Sequence, residues 1–248
     1  RPGYGYAGPE DKYKNKNHPE DDGIYLLDLN SGKSRLIISL NKIWEITRGS
    51  LNKDRKLLVN HITFNTDGSR FVFLVRYFPE DDDLSWGTAI LTADRDGNNI
   101  YLLSDYSYAS HYYWKDTQNI LFHSQGQEVS EAGAQLYLLK DRTYQGTVIN
   151  KDFFQSDGHC SYSPDRKWIL YDSYPEDNYR HLYLYNCKNE KGMKLGSFYS
   201  SPEINGDIRC DLHPRWNRDG TGISFDSIHE GFRGIYYSDL SEVMNELS

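Results

Sequence analysis

Three observations predict an all-β chain built as a β-propeller of four-stranded blades. They are short alternating apolar runs, Asp-Gly and Pro-Asp turns between those runs, and a histidine motif that recurs four times along the chain. Runs such as Gly23-Ile24-Tyr25-Leu26-Leu27-Asp28-Leu29, Arg70-Phe71-Val72-Phe73-Leu74-Val75-Arg76 and Lys167-Trp168-Ile169-Leu170-Tyr171-Asp172-Ser173 are rich in the β-branched and aromatic residues that suit a pleated surface. No long stretch shows helical periodicity.

The repeat begins with His-x-x-aromatic-x-x-Asp. It reads His61 to Asp67, His159 to Asp165 and His213 to Asp219, with a copy one residue shorter from His111 to Asp116. Successive histidines are 50, 48 and 54 residues apart, the length of one propeller blade. A second strand follows each motif: Arg70–Arg76, Asn119–Ser124, Lys167–Ser173 and Thr221–Ser227. Third strands are predicted at Thr88–Ala93, Gln135–Lys140, His181–Asn186 and Gly234–Asp239, and fourth strands at Tyr101–Leu103, Thr147–Ile149 and Met193–Gly196.

The predicted division is residues 1–56 as an outer half-blade and loops, then blades at 57–106, 107–153, 154–206 and 207–248, the last without its outer strand. The opening strands Ile24–Leu29 and Arg35–Leu40 fit only the outer half of a blade. About four and a half blades fall short of a relaxed ring of this repeat, so ~2–3 further blades are expected in a longer parent chain.

Composition narrows the partners. The 248 residues carry a net charge of −8 with no basic run, which argues against nucleic acid and against an anionic membrane surface. No apolar run approaches membrane-spanning length, so no membrane insertion is expected. Aromatics make up 15% of the chain, with 21 tyrosines, so aromatic side chains are expected to carry the core. Cys160, Cys187 and Cys210 are too few and too widely spaced for a disulfide framework or a zinc knuckle. The acidic clusters at 19–22 and 80–83 read as solvated turns, with cation binding the alternative. The chain opens on Arg1-Pro2, so compartment is not legible at this end; a bacterial cytoplasm or periplasm is the expectation, and oligomeric state is left open.

In a propeller the first strand of each blade lines the channel, so His61, His111, His159 and His213 form a ring at one depth. Such a ring is either architectural or chemical: imidazoles at a channel mouth bind a metal, move protons, or both. Polar neighbours favour chemistry, since Asn60, Ser110, Asp157 and Asp211 lie within two residues of the four histidines. Asp211 and His213 share a face of a regular strand, a spacing that suits two ligands on one ion. Arg209 and Arg215 join the same alternation as candidate carboxylate partners. His18, His181 and His229 read as solvated and His123 as packing. The tyrosine clusters at 4–6 and 106–113 serve either sugar stacking or blade packing.

These segments resemble the oligogalacturonate lyases, within the wider group of TolB-like propellers. The resemblance is carried by Ile24 to Ser34, by Ser110-His111-Tyr112-Tyr113-Trp114, and by His213-Pro214-Arg215-Trp216 through Leu240. It implies a seven-bladed parent, a divalent metal, and β-elimination on a uronate-containing oligosaccharide. It places His111 as the catalytic base, with His159, Asp211 and His213 as metal ligands. His61 becomes a further catalytic channel residue, and Arg209 and Arg215 bind substrate. Mn²⁺ is favoured and Ca²⁺ is the alternative. The chain departs from the family pattern in three places: Asp211 stands for a histidine, Ile208 for a glutamine, and no arginine is evident at Gly87-Thr88. The competing expectation is a non-catalytic TolB-like propeller that serves as a binding scaffold.

Overall fold

The structure is a computed structural model that describes residues 12–51, 53–77, 87–106, 109–124, 135–143 and 145–248. It is nearly all sheet and has the β-propeller fold. A hairpin of β1 (Gly23–Leu27) and β2 (Ser34–Ser39) comes first. The first full blade is β3 (Leu57–Phe64), β4 (Arg70–Tyr77), β5 (Thr88–Asp94) and β6 (Tyr101–Ser104). The second is β7 (Ala109–Trp114), β8 (Asn119–Ser124), β9 (Gln135–Lys140) and β10 (Gly146–Val148). The third is β11 (Cys160–Tyr162), β12 (Trp168–Asp172), β13 (Tyr179–Asn186) and β14 (Lys191–Tyr199). The last sheet has three strands, β15 (Arg215–Trp216), β16 (Gly222–Ser227) and β17 (Gly234–Asp239). In every sheet, sequence neighbours pair antiparallel.

The period-two alternation of the second strands explains how the blades stack. Along β4, Phe71, Phe73 and Val75 pack with Ile24 and Ile38 of the hairpin, while Val72 and Leu74 face the second blade and meet Trp114, Ile120 and Phe122. Along β8 the pattern repeats, with Leu121 turned forward onto Ile169 and Tyr171. Trp168 and Leu170 of β12 then pack against Ile223 and Phe225 of the last sheet. The core is therefore a series of layers between blades. Each large side chain buried in it contributes about 1.5–3 kcal/mol.

Polar clips join the same neighbours. Trp114 Nε1 donates to the Thr63 carbonyl at 3.1 Å, and Asn65 Nδ2 donates to the Thr117 carbonyl at 3.0 Å. Buried Arg70 bonds Asp141 of the next blade through Nε at 2.5 Å, Thr92 through an Nη at 2.8 Å, and Asp94 through its other Nη.

Among the described residues, two short α-helices depart from the all-strand expectation. α1 (Leu40–Thr47) starts where Ser39 Oγ accepts the Lys42 N–H at 3.1 Å, a helix N-cap. Its Ile43 and Thr47, four residues apart, are buried on one side. α2 (Ser241–Glu246) sets Val243, Met244 and Leu247 against the last two sheets. Both are too short for periodicity to announce them. Among the described residues, no helix is long and apolar enough to cross a membrane. The 80–83 and 4–6 clusters lie outside the described residues.

Candidate functional site: a row of histidines at the inner strands

Local backbone irregularity delivers the four repeat histidines. The register of β3 on β4 breaks between Asn60 and Thr63, and that of β7 on β8 between Ala109 and Tyr112, so His61 and His111 sit in bulges. A bulge re-aims its side chains relative to the regular strand. His159 and His213 immediately precede or approach β11 and β15. His61 has φ 51° and His213 φ 41°, a region that side chains seldom occupy and that is found where function holds a strained backbone.

Three of the imidazoles form a row across three blades. The His111 and His159 ring centroids are 4.0 Å apart, and those of His159 and His213 are 3.9 Å apart. His61 keeps a solvent-exposed edge and lies close enough to feel the other three. Burial, the Arg76 guanidinium and the other histidines together bring its pKa down to about 4. Burial and His159 likewise lower His213.

Carboxylates from outside the motif anchor this row. Asp157 Oδ1 lies 2.9 Å from His111 Nδ1, and Ser110 Oγ lies 3.1 Å from the same nitrogen. The sequence places Asp157 beside His159; the structure gives it to His111, 46 residues earlier and one blade back. Burial pushes the Asp157 carboxyl up, but the His111 hydrogen bond and the charges of His111 and His123 outweigh it, and its pKa falls to about 2. His123 lies beneath, with Nδ1 at 3.4 Å from Asp157, and burial lowers its pKa.

Asp172 secures the next two members. Its carboxylate, 1% exposed, meets His159 Nδ1 at 3.0 Å and accepts the backbone N–H of His159 at 2.6 Å and that of His213 at 3.1 Å. Gly158 permits this approach, because a Cβ there would lie 1.7 Å from the Asp172 carbonyl oxygen. Asp211 is buried between two guanidiniums, with Arg180 at 2.7 Å and Arg209 Nε at 2.8 Å. Burial raises its pKa, and the Arg209 hydrogen bond with the charges of Arg180, Arg209 and His159 reverses that into a net lowering. Tyr174 completes the group, its ring 5.9 Å from that of His111 and 5.9 Å from the Arg180 guanidinium. Burial raises the pKa of its hydroxyl, which stays a proton donor.

The structure thus gathers His111, His159, His213, Asp211 and Arg209, and sets His61 beside them. Donor atoms of His159, Asp211 and His213 lie within 4.8 Å of one another. The chain from 209 to 214 is irregular and β15 holds only Arg215 and Trp216, so the expected alternation fails at His213; Arg215 pairs with Asp226 at 3.1 Å, and its charge still acts on His213. The solvated reading of three other histidines is overturned. His18 stacks on Trp44 at 4.1 Å, His229 packs on Tyr236 at 4.5 Å, and His181 bonds Ser197 at 2.8 Å with its side chain 12% exposed.

Sequence reasoning missed Asp172, Arg180, Tyr174 and Arg76. One signal was present for the first: Asp-Ser closes the second strand in both Tyr171-Asp172-Ser173 and Phe225-Asp226-Ser227. Arg76 lies across from Thr88 in the β4–β5 register, so a guanidinium comes to this region from the adjacent strand although none stands at 87–88.

Fold and site together define a β-propeller with a histidine-carboxylate-arginine cluster at its inner strands. Among solved structures, the chain is similar to an oligogalacturonate lyase in complex with manganese, at TM-score 0.63 and 18% identity, over 88% of this chain and 54% of that one. It is also similar to the tricorn protease, at TM-score 0.54 and 12% identity, over 88% and 23%. A match to TolB from Acinetobacter baumannii has TM-score 0.47 and 16% identity, over 87% and 50%. The chain therefore spans about half the length of the lyase. At these identities the likeness establishes the fold alone. No family model matches the sequence, and no curated sequence matches it significantly.

Proposed function

We propose that this propeller acts as a polysaccharide lyase-like enzyme, cleaving uronic-acid-containing oligosaccharides by β-elimination with His111 as base. One observation carries the reading: His111 Nδ1 is held by the buried, ionised Asp157. A neutral imidazole that donates its Nδ1 proton to a carboxylate keeps the Nε2 lone pair as its basic site. The reaction removes the proton α to the uronate carboxylate and expels the 4-O-linked sugar, and its barrier lies in the charge of the enolate. Arg209, 43% exposed and bonded to Asp211, would pair with the substrate carboxylate. Tyr174, protonated and beside His111, is the candidate to donate a proton to the leaving oxygen, while His61, neutral with its pKa brought down to about 4, would help to position substrate.

The chain's own residues fit a divalent cation. His159 offers one nitrogen while Asp172 holds the other, the carboxylate-histidine arrangement that supports metal ligands. Asp211 and His213 would complete a set of three donors, and two imidazoles with one carboxylate favour Mn²⁺ over Ca²⁺. Bound there, the ion would stabilise negative charge on the substrate carboxylate.

The test is incubation with a panel of uronate oligosaccharides, following ultraviolet absorbance of the unsaturated product. Wild type is expected to form product and His111→Ala to lose roughly 10²–10⁴-fold. Absence of product across the panel, with and without Mn²⁺, would overturn the proposal in favour of a binding scaffold. That second reading has its own support in Asp172, which fixes the backbone of two ring histidines as an architectural residue would.

A further inference from the structure

At the other end of the blades, where the first strands finish and the second strands start, lies an open cleft of about 700 Å³. Its walls come from three units: Arg35 of β2, Arg95 after β5, and Arg142 after β9. We infer that this cleft is a second binding site, for a multiply charged oxyanion of the phosphate or sulfate type.

The argument rests on which charges are already satisfied. Arg70, at the cleft floor, is buried and committed to Asp141, Asp94 and Thr92. Asp94 also accepts from Asn99 Nδ2 at 2.5 Å, and Asp96 is tied into its own turn by Asn98 at 2.6 Å. The hydrogen bonds of the cleft carboxylates therefore go to partners other than the three wall arginines, while the Arg142 charge acts on Asp94 through space. The side chains of Arg35, Arg95 and Arg142 make no hydrogen bond or close ion pair among the described residues, and all three residues are exposed. In the cleft lining the four guanidiniums of Arg35, Arg70, Arg95 and Arg142 outnumber the carboxylates of Asp94 and Asp96, a local positive field that attracts an anion on a chain of net charge −8. Each presents a planar fork that matches an oxyanion with two parallel bonds.

The backbone fixes the three arginines relative to one another. Arg35 and Ile37 share a face of β2, and Gly97 packs so tightly on Ile37 that a Cβ there would lie 2.4 Å from its carbonyl oxygen. That contact seats the Arg95–Gly97 turn against β2. Arg142 directly follows Asp141, which Arg70 and Thr92 pin, and it holds φ 59°, a conformation that favours glycine.

Titration calorimetry with inorganic phosphate and with sulfate at low ionic strength tests the inference. Saturable binding of either anion is expected, weakened about tenfold in each of Arg35→Gln, Arg95→Gln and Arg142→Gln. The variants should keep the wild-type unfolding midpoint, because the three side chains hold nothing else. His111→Ala should bind the anion as wild type does. The two anions distinguish a phosphate from a sulfate occupant. No saturable binding, equal binding in the arginine variants, or loss of binding in His111→Ala would each overturn the site, whatever the outcome of the lyase assay.

Discussion

Replacing Asp172 with asparagine isolates the anchor of the histidine row. In the structure one oxygen accepts the His159 N–H at 2.6 Å, the other accepts the His213 N–H at 3.1 Å, and both approach His159 Nδ1. Asparagine keeps one acceptor and turns the other position into a donor. One backbone N–H then faces an NH₂ group in a place that water hardly reaches, the side chain being 1% exposed. A charge-assisted bond contributes about 1.5–3 kcal/mol and a buried unsatisfied donor costs about 1–3 kcal/mol; the two overlap, so the expected loss is about 2–4 kcal/mol. For a domain stable by roughly 5–15 kcal/mol that is a large fraction. Urea unfolding followed by tryptophan fluorescence at pH 7 measures it, and amide exchange at His213 reports the local change. A loss below about 0.5 kcal/mol, with unchanged exchange at His213, would refute the anchoring role.

Other expectations follow from the same geometry. The pKa of His61 is about 4 in the fold against an ordinary 6.5, so the unfolded chain binds more protons between those values; stability should fall as pH drops from 6.5 toward 4, and His61→Gln should flatten that dependence in urea titrations across pH. Asp157, lowered to about 2, should add its own loss only at lower pH, below its ordinary 3.8. Arg70→Met leaves the Asp141 carboxylate buried without its cation and should cost about 3–5 kcal/mol in chemical denaturation, whereas a cost near zero would mean the inter-blade pair is dispensable. Arg209→Gln removes a positive charge 2.8 Å from a proposed metal ligand, so Mn²⁺ affinity measured by calorimetry should rise; a fall would place the arginine in support of the ion. Phe73→Ala, which empties a fully buried site between the hairpin and the first blade, should cost about 3–5 kcal/mol by the same unfolding assay.

The fold was legible because a blade is a local object. Each one is a run of antiparallel neighbours in sequence, so alternation and turn residues suffice to mark strands such as Gln135–Lys140 and Gly234–Asp239. The helix Leu40–Thr47 was not, since its cap at Ser39 and its two buried positions look like the end of a strand. The site divides in the same way. The repeat alone identifies His61, His111, His159 and His213 as equivalent residues.

What the sequence determined by itself is the periodic part: the blades, their alternating faces, and one histidine per blade at the inner strand. Tertiary structure decided what each histidine touches. Asp157 reaches back across a blade boundary to His111, Asp172 spans His159 and His213, and Arg180 meets Asp211 from a different blade. A left-handed turn at His213 breaks the alternation expected from Arg209 to Arg215, and Arg215 pairs with Asp226. The physical reason is that the repeat is a statement about hydrogen bonding within one sheet. The site is made by side chains crossing between sheets, and their meeting depends on how the blades stack.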